Sequence, residues 1–485
     1  MEVLKGLQPA RVFHYFEEIS GIPRGSGNTG PISDYLVRFA GCHGLEFIRD
    51  AADNVILFGP ASSGYEDAPT VILQGHCDMV AVKEPASEHD FLKDGLQLKV
   101  EGGRITAEGT SLGADDGIAL AYCLAILEAE DIPHPPLEVV LTSDEEIGLA
   151  GASRLDVSCL RGRYLLNLDY STEGILLAGC AGGLNVSSHF GLKTERTQGM
   201  VYRIEMTGLK GGHSGIRIGE IHASACVLIG RLLAAFLKQI SFSLAEARAG
   251  ERANVIPESA QIRIVLREEK REALESSVQT FRTEFQKEFG KEEENFQICL
   301  AEEGVQHREV LRPAELEKVI CFLLNAPDGV QKMSGVREGL VETSVNLGVF
   351  CLESGSCTAD FGIRSSFDHV KQVVADRIES LTRCLGGDLY RGQEYPAWEY
   401  QEESELRRKM TAVYEEMFGK KPEIMLVHAG LECGYFSRRI PELDCISFAP
   451  SIYGLHSVRE SLDILSVDRM WKYLKRVLES FCPVS

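Results

Sequence analysis

Short apolar runs that end in acidic or histidine residues constrain this chain more than any other feature of its sequence. The clusters are His76-Cys77-Asp78, Asp115-Asp116, Asp144-Glu145-Glu146, Asp169 and, far downstream, His456. Four of them follow runs that read as buried parallel strands: Val71-Ile72-Leu73, Leu137 to Leu141, Leu165 to Leu168, and Ile446 to Ala449. Ligands of open α/β sheets gather beyond the carboxyl ends of such strands. Carboxylates mixed with imidazoles are the donors a Zn²⁺ or Mn²⁺ pair takes. The pattern predicts a two-metal hydrolase on an α/β scaffold.

Strand and helix alternate through the first part of the chain. Ile32 to Ala40 has helical spacing, with Gly41 and Gly44 near its end, and Ile118 to Ala129 reads as a helix with Leu120, Cys123, Leu124 and Leu127 on one face. Asn54 to Phe58 and Val71 to Leu73 read as strands, so a mainly parallel sheet between helices is expected. Beyond Gly182-Gly183 the texture changes. Val201 to Met206, Gln261 to Leu266 and Val341 to Val349 alternate as half-exposed strands do, and Thr358 to Ile363 reads as another strand. Between them lie helical segments Ala223 to Leu237, Glu272 to Phe289, Ala314 to Leu324 and Val370 to Leu385. This predicts an α+β insertion with helices on one sheet face. The α/β texture returns with helix Glu403 to Met417, strands Glu423 to Val427 and Cys445 to Ala449, and a helix after Val467. At 485 residues roughly two to three domains are expected. The division reads as a catalytic domain in two parts, 1–184 and 395–485, interrupted by a lid domain at 185–394.

Lys+Arg 50 against Asp+Glu 72 gives a net charge of −22, which argues against nucleic acid or an anionic membrane as partner. Met1 to Ala10 has no signal-peptide character, and no run is long enough to cross a bilayer. The 14 cysteines are scattered without CxxC pairs, as reduced thiols are, and a cytoplasmic protein is expected.

Each cluster admits a plain reading beside the chemical one. His76 and Asp78, two apart in extended chain, point the same way, so the carboxylate can orient a ligating imidazole; a buried histidine with an acid nearby fits as well. Asp115-Asp116 stands just before a helix, where an N-cap alone explains it; beside the other clusters, one of the pair can bridge two cations while Asp116 caps. Three acids at the end of an apolar strand, Asp144-Glu145-Glu146, would repel one another without a cation; a solvated acidic turn, common for charge runs, is the plain reading and sits awkwardly beside so apolar a strand. Of Glu145 and Glu146, one can hold metal while the other takes a proton from water. Asp169 and His456 are weak alone and complete a symmetric set. Gly211-Gly212-His213-Ser214-Gly215 offers either an oxyanion donor or an ordinary turn. Arg364 offers either a carboxylate clamp or a solvated strand residue.

Gly75-His76-Cys77-Asp78, Gly113-Ala114-Asp115-Asp116-Gly117, Asp144-Glu145-Glu146 and Gly211-Gly212-His213-Ser214-Gly215 resemble the M20 dinuclear metallopeptidases. Ile22-Pro23-Arg24-x-Ser26-Gly27-Asn28, Asp78-Met79-Val80, Thr110 to Asp115, Val341-Glu342-Thr343-Ser344-x-Asn346-Leu347-Gly348 and His428-Ala429-Gly430-Leu431-Glu432-Cys433-Gly434 resemble one branch, the bacterial aminoacyl-histidine (Xaa-His) dipeptidases. The resemblance runs nearly end to end. It implies a zinc-peptidase-like catalytic domain and metal-dependent hydrolysis of Xaa-His (carnosine-like) dipeptides. It implies two divalent ions, Zn²⁺ first, with Mn²⁺ and Co²⁺ as alternatives. By position, His76 and Asp169 would hold one ion, Glu146 and His456 the other, and Asp115 would bridge them. Asp78 would orient His76, and Glu145 would be the general base. His213 would meet the oxyanion and Arg364 the substrate carboxylate, while Asn254, Gly430 and Glu432 would line the substrate pocket. Thr29 stands where an acid is common and Asp116 where Asn often occurs; neither removes a ligand. A small peptide is the expected substrate, and a homodimer stays open. Two alternatives remain: another amide hydrolase of the same scaffold (tripeptidase, aminoacylase or deacetylase) and a non-catalytic metal-binding scaffold.

Overall fold

The four apolar runs lie side by side as the centre of one sheet. In the computed structural model, which describes residues 3–266 and 270–482, they are strands Leu137–Thr142, Val71–His76, Tyr164–Asn167 and Asp444–Ser447, neighbours in that order and all parallel. Parallel strands need cover on both faces, which is why these strands are mainly apolar rather than alternating; the polar residues inside them, Gln74, Glu138 and Asn167, are buried and hydrogen-bonded. Val71, Ile72 and Leu73 have no exposed surface, and each such side chain contributes about 1.5–3 kcal/mol on burial. Antiparallel strands extend the sheet: Val55–Gly59 and Glu46–Arg49 on one side, Ile175–Cys180 on the other, with Glu423–Val427 as the last strand. The sheet is therefore mixed, parallel in the middle and antiparallel at its flanks.

Helices Ala10–Ser20, Gly30–His43, Ala114–Leu127, Glu405–Phe418 and Ile464–Glu479 share one apolar core with these strands. Gly44 ends the second of them with the left-handed cap conformation that its position in the sequence suggests. Ala114–Leu127 departs from expectation. Every residue from Asp116 to Ile126 is buried, so it is an internal helix rather than one with a single apolar face. A small antiparallel sheet, absent from the sequence reading, joins Leu98–Glu101, Arg104–Ala107, Ser461–Asp463 and Ile452–Tyr453. Its strands are too short, at two to four residues, to show a period.

Of the described residues, one compact unit is built from Met1–Cys180, Trp398–Leu426 and Leu431–Ser485, and a second from Ala181–Ala397 with Val427–Gly430. The second unit holds a nine-stranded sheet. The paired strands of that sheet run antiparallel. Helices Ala225–Leu237, Arg271–Phe289, Pro313–Asn325 and Asp368–Cys384 share a core with it. Elsewhere on the sheet, strand residues that point away from that core form a charged lattice. There Arg263 pairs with Glu246 and Glu303, and Arg203 with Glu303.

Strand Val341–Glu353 does not alternate as expected: its first eight residues are all buried. The polar ones among them are spent on partners. Glu342 meets Lys332 at 2.8 Å, Ser344 meets His428 Nε2 at 2.7 Å, and Asn346 donates to the carbonyls of Ala253 and Val255. Buried polar groups so paired escape the desolvation cost that an unpaired one would carry.

Candidate metal centre

His76 is the last residue of its strand, and the chain bends away so that Cys77 and Asp78 lie beyond the sheet. Asp169 lies two residues past the end of the neighbouring parallel strand, and Asp144 to Glu146 follow the strand on the other side. Three strand ends thus deliver a histidine and five carboxylates to one edge, as a sheet of this kind allows.

Asp115 sits at the middle of the group. Its Oδ1 is 3.1 Å from His76 Nε2 and its Oδ2 is 3.2 Å from His456 Nε2, so one carboxylate faces two imidazoles from opposite oxygens. Each imidazole has a further carboxylate: Asp169 at 3.9 Å from His76 Nε2, and Glu146 at 2.9 Å from His456 Nε2. Glu146 Oε1 is nonetheless buried without a hydrogen bond. It converges on the imidazole without bonding to it, as ligands around a shared cation do. Donor atoms of His76, Asp116 and Asp169, of His76, Glu145 and Glu146, and of Asp115, Glu146 and His456 each lie within 4.8 Å of one another. The donor set of imidazole nitrogen and carboxylate oxygen fits two hard-to-borderline divalent cations.

The charges behave as such a cluster requires. Burial works to raise the Asp115 carboxyl, yet His456 and His76 hold it well below the ordinary carboxylate range. Burial pushes Asp169 up to about 8; His76 opposes the rise, and Asp115, Glu432 and Glu146 reinforce it. Burial likewise lifts Glu145 well above its ordinary value, with Asp169, Glu146 and Glu432 adding to it against His76. The carboxylates of Asp115 and then Glu146, facing its ring, raise His456 to about 10 against burial. Carboxylates crowded together in this way favour a positive charge among them.

Asp78 does more than orient one imidazole. Its Oδ1 is 3.4 Å from His76 Nδ1 and accepts from the Glu145 amide at 2.9 Å, while Oδ2 accepts from Glu146 N and from Ser26 Oγ at 2.7 Å. It ties two clusters together. Asp116 caps nothing: its Oδ2 accepts from the His76 amide at 3.1 Å, and the residue before the helix makes no side-chain cap. His456 is held at φ 58°, in the left-handed region, at the tip of the hairpin between Ile452–Tyr453 and Ser461–Asp463. Non-glycine residues held so often mark functional positions.

Glu432 also belongs to this unit. It has no exposed surface, and its Oε2 accepts from Gln74 Nε2 and Thr142 Oγ1, each at 2.6 Å. Gln74 in turn accepts from Asn167. This ladder crosses three strands two residues before His76 and Asp169, so it fixes the level at which those two side chains leave the sheet.

His213, Arg364, Asn254 and Gly430 lie in the second unit. His213 pairs in register with Val255, and the Asn254 carbonyl accepts from Ser214 N at 2.9 Å; the Asn254 side chain is exposed. Arg364 Nη1 donates to Tyr395 Oη at 2.7 Å, and Nη2 is 3.4 Å from His213 Nε2. Gly215 permits this grouping. A Cβ there would stand 2.9 Å from His213 Cε1, 3.1 Å from Arg364 Cζ and 3.0 Å from the His428 carbonyl. Gly430 lies against the Tyr395 ring. Burial, then the Arg364 charge, lowers His213, and the same two causes push His428 down to about 3. Both imidazoles are therefore neutral near pH 7, beside a permanent cation. The Nδ1 atoms of both are buried without a partner.

Sequence reasoning passed over Ser344, Asn346, Tyr395 and His428 as actors. Three of them stood inside motifs already quoted, which was a signal; Tyr395 stood in none.

A model of Peptidase family M20/M25/M40 matches residues 72–480. The chain is 35% identical over 485 residues to the cytosol non-specific dipeptidase of Escherichia coli (strain K12), with 99% of each covered. The crystal structure of aminoacylhistidine dipeptidase from Vibrio alginolyticus matches with a TM-score of 0.90 and 35% identity, covering 99% of this chain and 98% of that one. A tripeptidase from Staphylococcus aureus, 14% identical with a TM-score of 0.56 over 98% of this chain, shares the fold. Among the described residues no helix is long and apolar enough to cross a membrane.

Proposed function

The chain belongs to Peptidase family M20/M25/M40 and hydrolyses peptide bonds, and on that premise we propose that it is a dinuclear-metal dipeptidase acting on free dipeptides, Xaa-His among them. The observation that carries this reading is the placement of Asp115 between two imidazoles, each with a carboxylate of its own. His76 and Asp169 would hold one cation, Glu146 and His456 the other, and Asp115 both, with Zn²⁺ the first expectation and Mn²⁺ or Co²⁺ the alternatives. When bound, the two ions supply Lewis acidity toward the peptide carbonyl and toward water.

The protein's own groups do the rest. Glu145, half-buried beside the ligands and not needed as one, accepts the proton of the attacking water and returns it to the leaving amine. Asp78 holds the Glu145 amide and the His76 ring in one arrangement, so base and ligand keep their relation through the reaction. His213, neutral near pH 7, donates a hydrogen bond to the oxygen that becomes negative. Arg364, fixed by Tyr395, takes the terminal carboxylate of the dipeptide with its planar fork. Asn254 and Gly430, both in the chain's second unit, would line the pocket for the substrate, and Glu432 supports the strands that carry His76 and Asp169. A cytoplasmic setting agrees with the name of the Escherichia coli relative.

The two 35%-identical relatives are named for different breadths, one non-specific and one for aminoacylhistidines. Metal analysis of the purified protein together with a substrate panel separates the readings. Alanyl-histidine, β-alanyl-histidine, alanyl-alanine, a tripeptide and an N-acetyl amino acid would be offered to the zinc-loaded enzyme. Hydrolysis of the dipeptides with about two ions per chain is expected. Preference for the tripeptide or the N-acyl substrate would move the chain to another branch of the family, and no hydrolysis at all would leave a metal-binding scaffold.

A further inference from the structure

Two fully buried charges that no ligand set requires stand behind the metal-binding loops. Arg24 is 1% exposed and Glu460 3%. Arg24 Nη1 donates to the carbonyls of Cys77 and Asp78, each at 3.0 Å, and Nη2 donates to the carbonyl of Gly113. Glu460 Oε2 accepts from the amides of Leu112 and Gly113, each at 2.9 Å, and Oε1 accepts from the amide of Asp115 at 3.2 Å. Gly113 is thus gripped at both ends, its N–H by the anion and its C=O by the cation. Glu460 comes from the hairpin that carries His456. Arg24 comes from the segment whose Ser26 bonds Asp78 and whose Gly27 amide bonds Asp144.

We propose that Arg24 and Glu460 are a paired brace that sets the distance between the His76–Asp78 loop and the Asp115 loop, and with it the affinity for both metal ions. They are positioning residues and touch neither metal nor substrate. The proposal rests on the reading of the site as a metal centre. A buried cation beside a cation site works against metal binding by its charge alone. Its presence is accounted for by its fork, which reaches three carbonyls on two loops where a lysine's single nitrogen cannot span them. A buried guanidinium left without opposite charge would be strongly unfavourable, and among its charged neighbours Glu460 acts on Arg24 most strongly.

The brace also explains a glycine in the motif Gly113-Ala114-Asp115-Asp116-Gly117. Gly117 is not in the left-handed region, so its backbone does not demand glycine. A Cβ at Gly117 would stand 2.5 Å from Arg24 Nη2, with its next neighbours at 3.4 Å. The glycine makes room for the guanidinium.

The test is titration of the metal-stripped protein with Zn²⁺ by calorimetry, with melting temperature recorded before and after metal. Arg24→Lys keeps the charge and loses the fork. It should bind zinc ~10–100-fold more weakly, the range seen when groups that orient ligands are changed, and the rise in Tm on adding zinc should shrink. Glu460→Gln should weaken binding in the same direction, and carries the measurement if Arg24→Lys does not fold. Gly117→Ala should weaken zinc binding when Arg24 is present and add little in the Arg24→Lys background. A folded Arg24→Lys or Glu460→Gln protein with wild-type zinc affinity and only a lowered metal-free Tm would overturn the brace and leave two structural residues. A wild-type protein that takes up no zinc would instead overturn the metal-centre reading itself.

Discussion

In the first unit the ionisable groups that gather at strand ends are mostly carboxylates; burial first, and carboxylate neighbours after it, raise Asp169 to about 8 and lift Glu145, whereas Asp115, between two imidazoles, is held down. In the second unit the comparable gathering is a guanidinium with two imidazoles, and the shifts reverse, with His213 lowered and His428 brought to about 3. Burial contributes to both, because it disfavours whichever form is charged. The sign of the neighbours then decides what each cluster is fitted to receive, a cation in one case and an anion in the other.

Changing the base should show the largest effect on this contrast. Glu145→Gln removes a proton acceptor from the carboxylate cluster without removing a proposed ligand. Turnover should fall ~10²–10⁴-fold while the metal content of the purified protein stays at the wild-type level. A fully metallated variant with near-normal kcat would remove Glu145 from the chemistry. If metal were lost along with activity, Glu145 would join the ligands instead.

The anion-receiving side is sharpened by Arg364→Ala. Charge-assisted hydrogen bonds contribute about 1.5–3 kcal/mol, so kcat/KM for free dipeptides should drop ~10–100-fold. C-terminally amidated dipeptides, which offer no carboxylate, should be poor substrates already and change little. Equal losses on free and amidated substrates would show that Arg364 does not read the carboxylate.

The smallest expected effect is on stability. His428 titrates near 3 in the folded protein and near 6.5 in an unfolded chain. Between those values the unfolded chain binds a proton that the folded one does not. Its contribution is therefore complete above about pH 6.5 and is lost as pH falls toward about 3. His428→Gln should flatten the fall in Tm between about pH 6.5 and about pH 5, removing at most about 1.4 kcal/mol per pH unit. A variant whose Tm declines with the wild-type slope would place the lowered pKa in doubt.

Much of the first unit was legible because its signals are local. The four apolar runs at 71, 137, 165 and 446 became four adjacent parallel strands, and the acids and His76 that follow them met at one edge. The helices of the second unit were placed within a few residues, from Ala225–Leu237 to Asp368–Cys384, because amphipathic spacing survives in a one-sided layer. Where polar residues were buried, the pattern misled: Val341–Glu353 reads as half-exposed because Glu342, Ser344 and Asn346 find partners that only the folded chain supplies.

The sequence by itself determined which residue types would collect at the sheet's edge, since a parallel strand covered on both faces is mainly apolar and its charged residues gather where it leaves the core. Family resemblance added the ligand roles. Only the tertiary structure decided that Asp116 bonds the His76 amide instead of capping a helix, and that Asp78 joins the Glu145 loop to His76. It alone brought Arg24 and Glu460, 436 positions apart by their numbers, to the two ends of Gly113. The reason is physical: backbone amides and carbonyls are present at every residue and carry no sequence signal. A side chain that finds its partner in the main chain of a distant loop is visible only once the chain has folded.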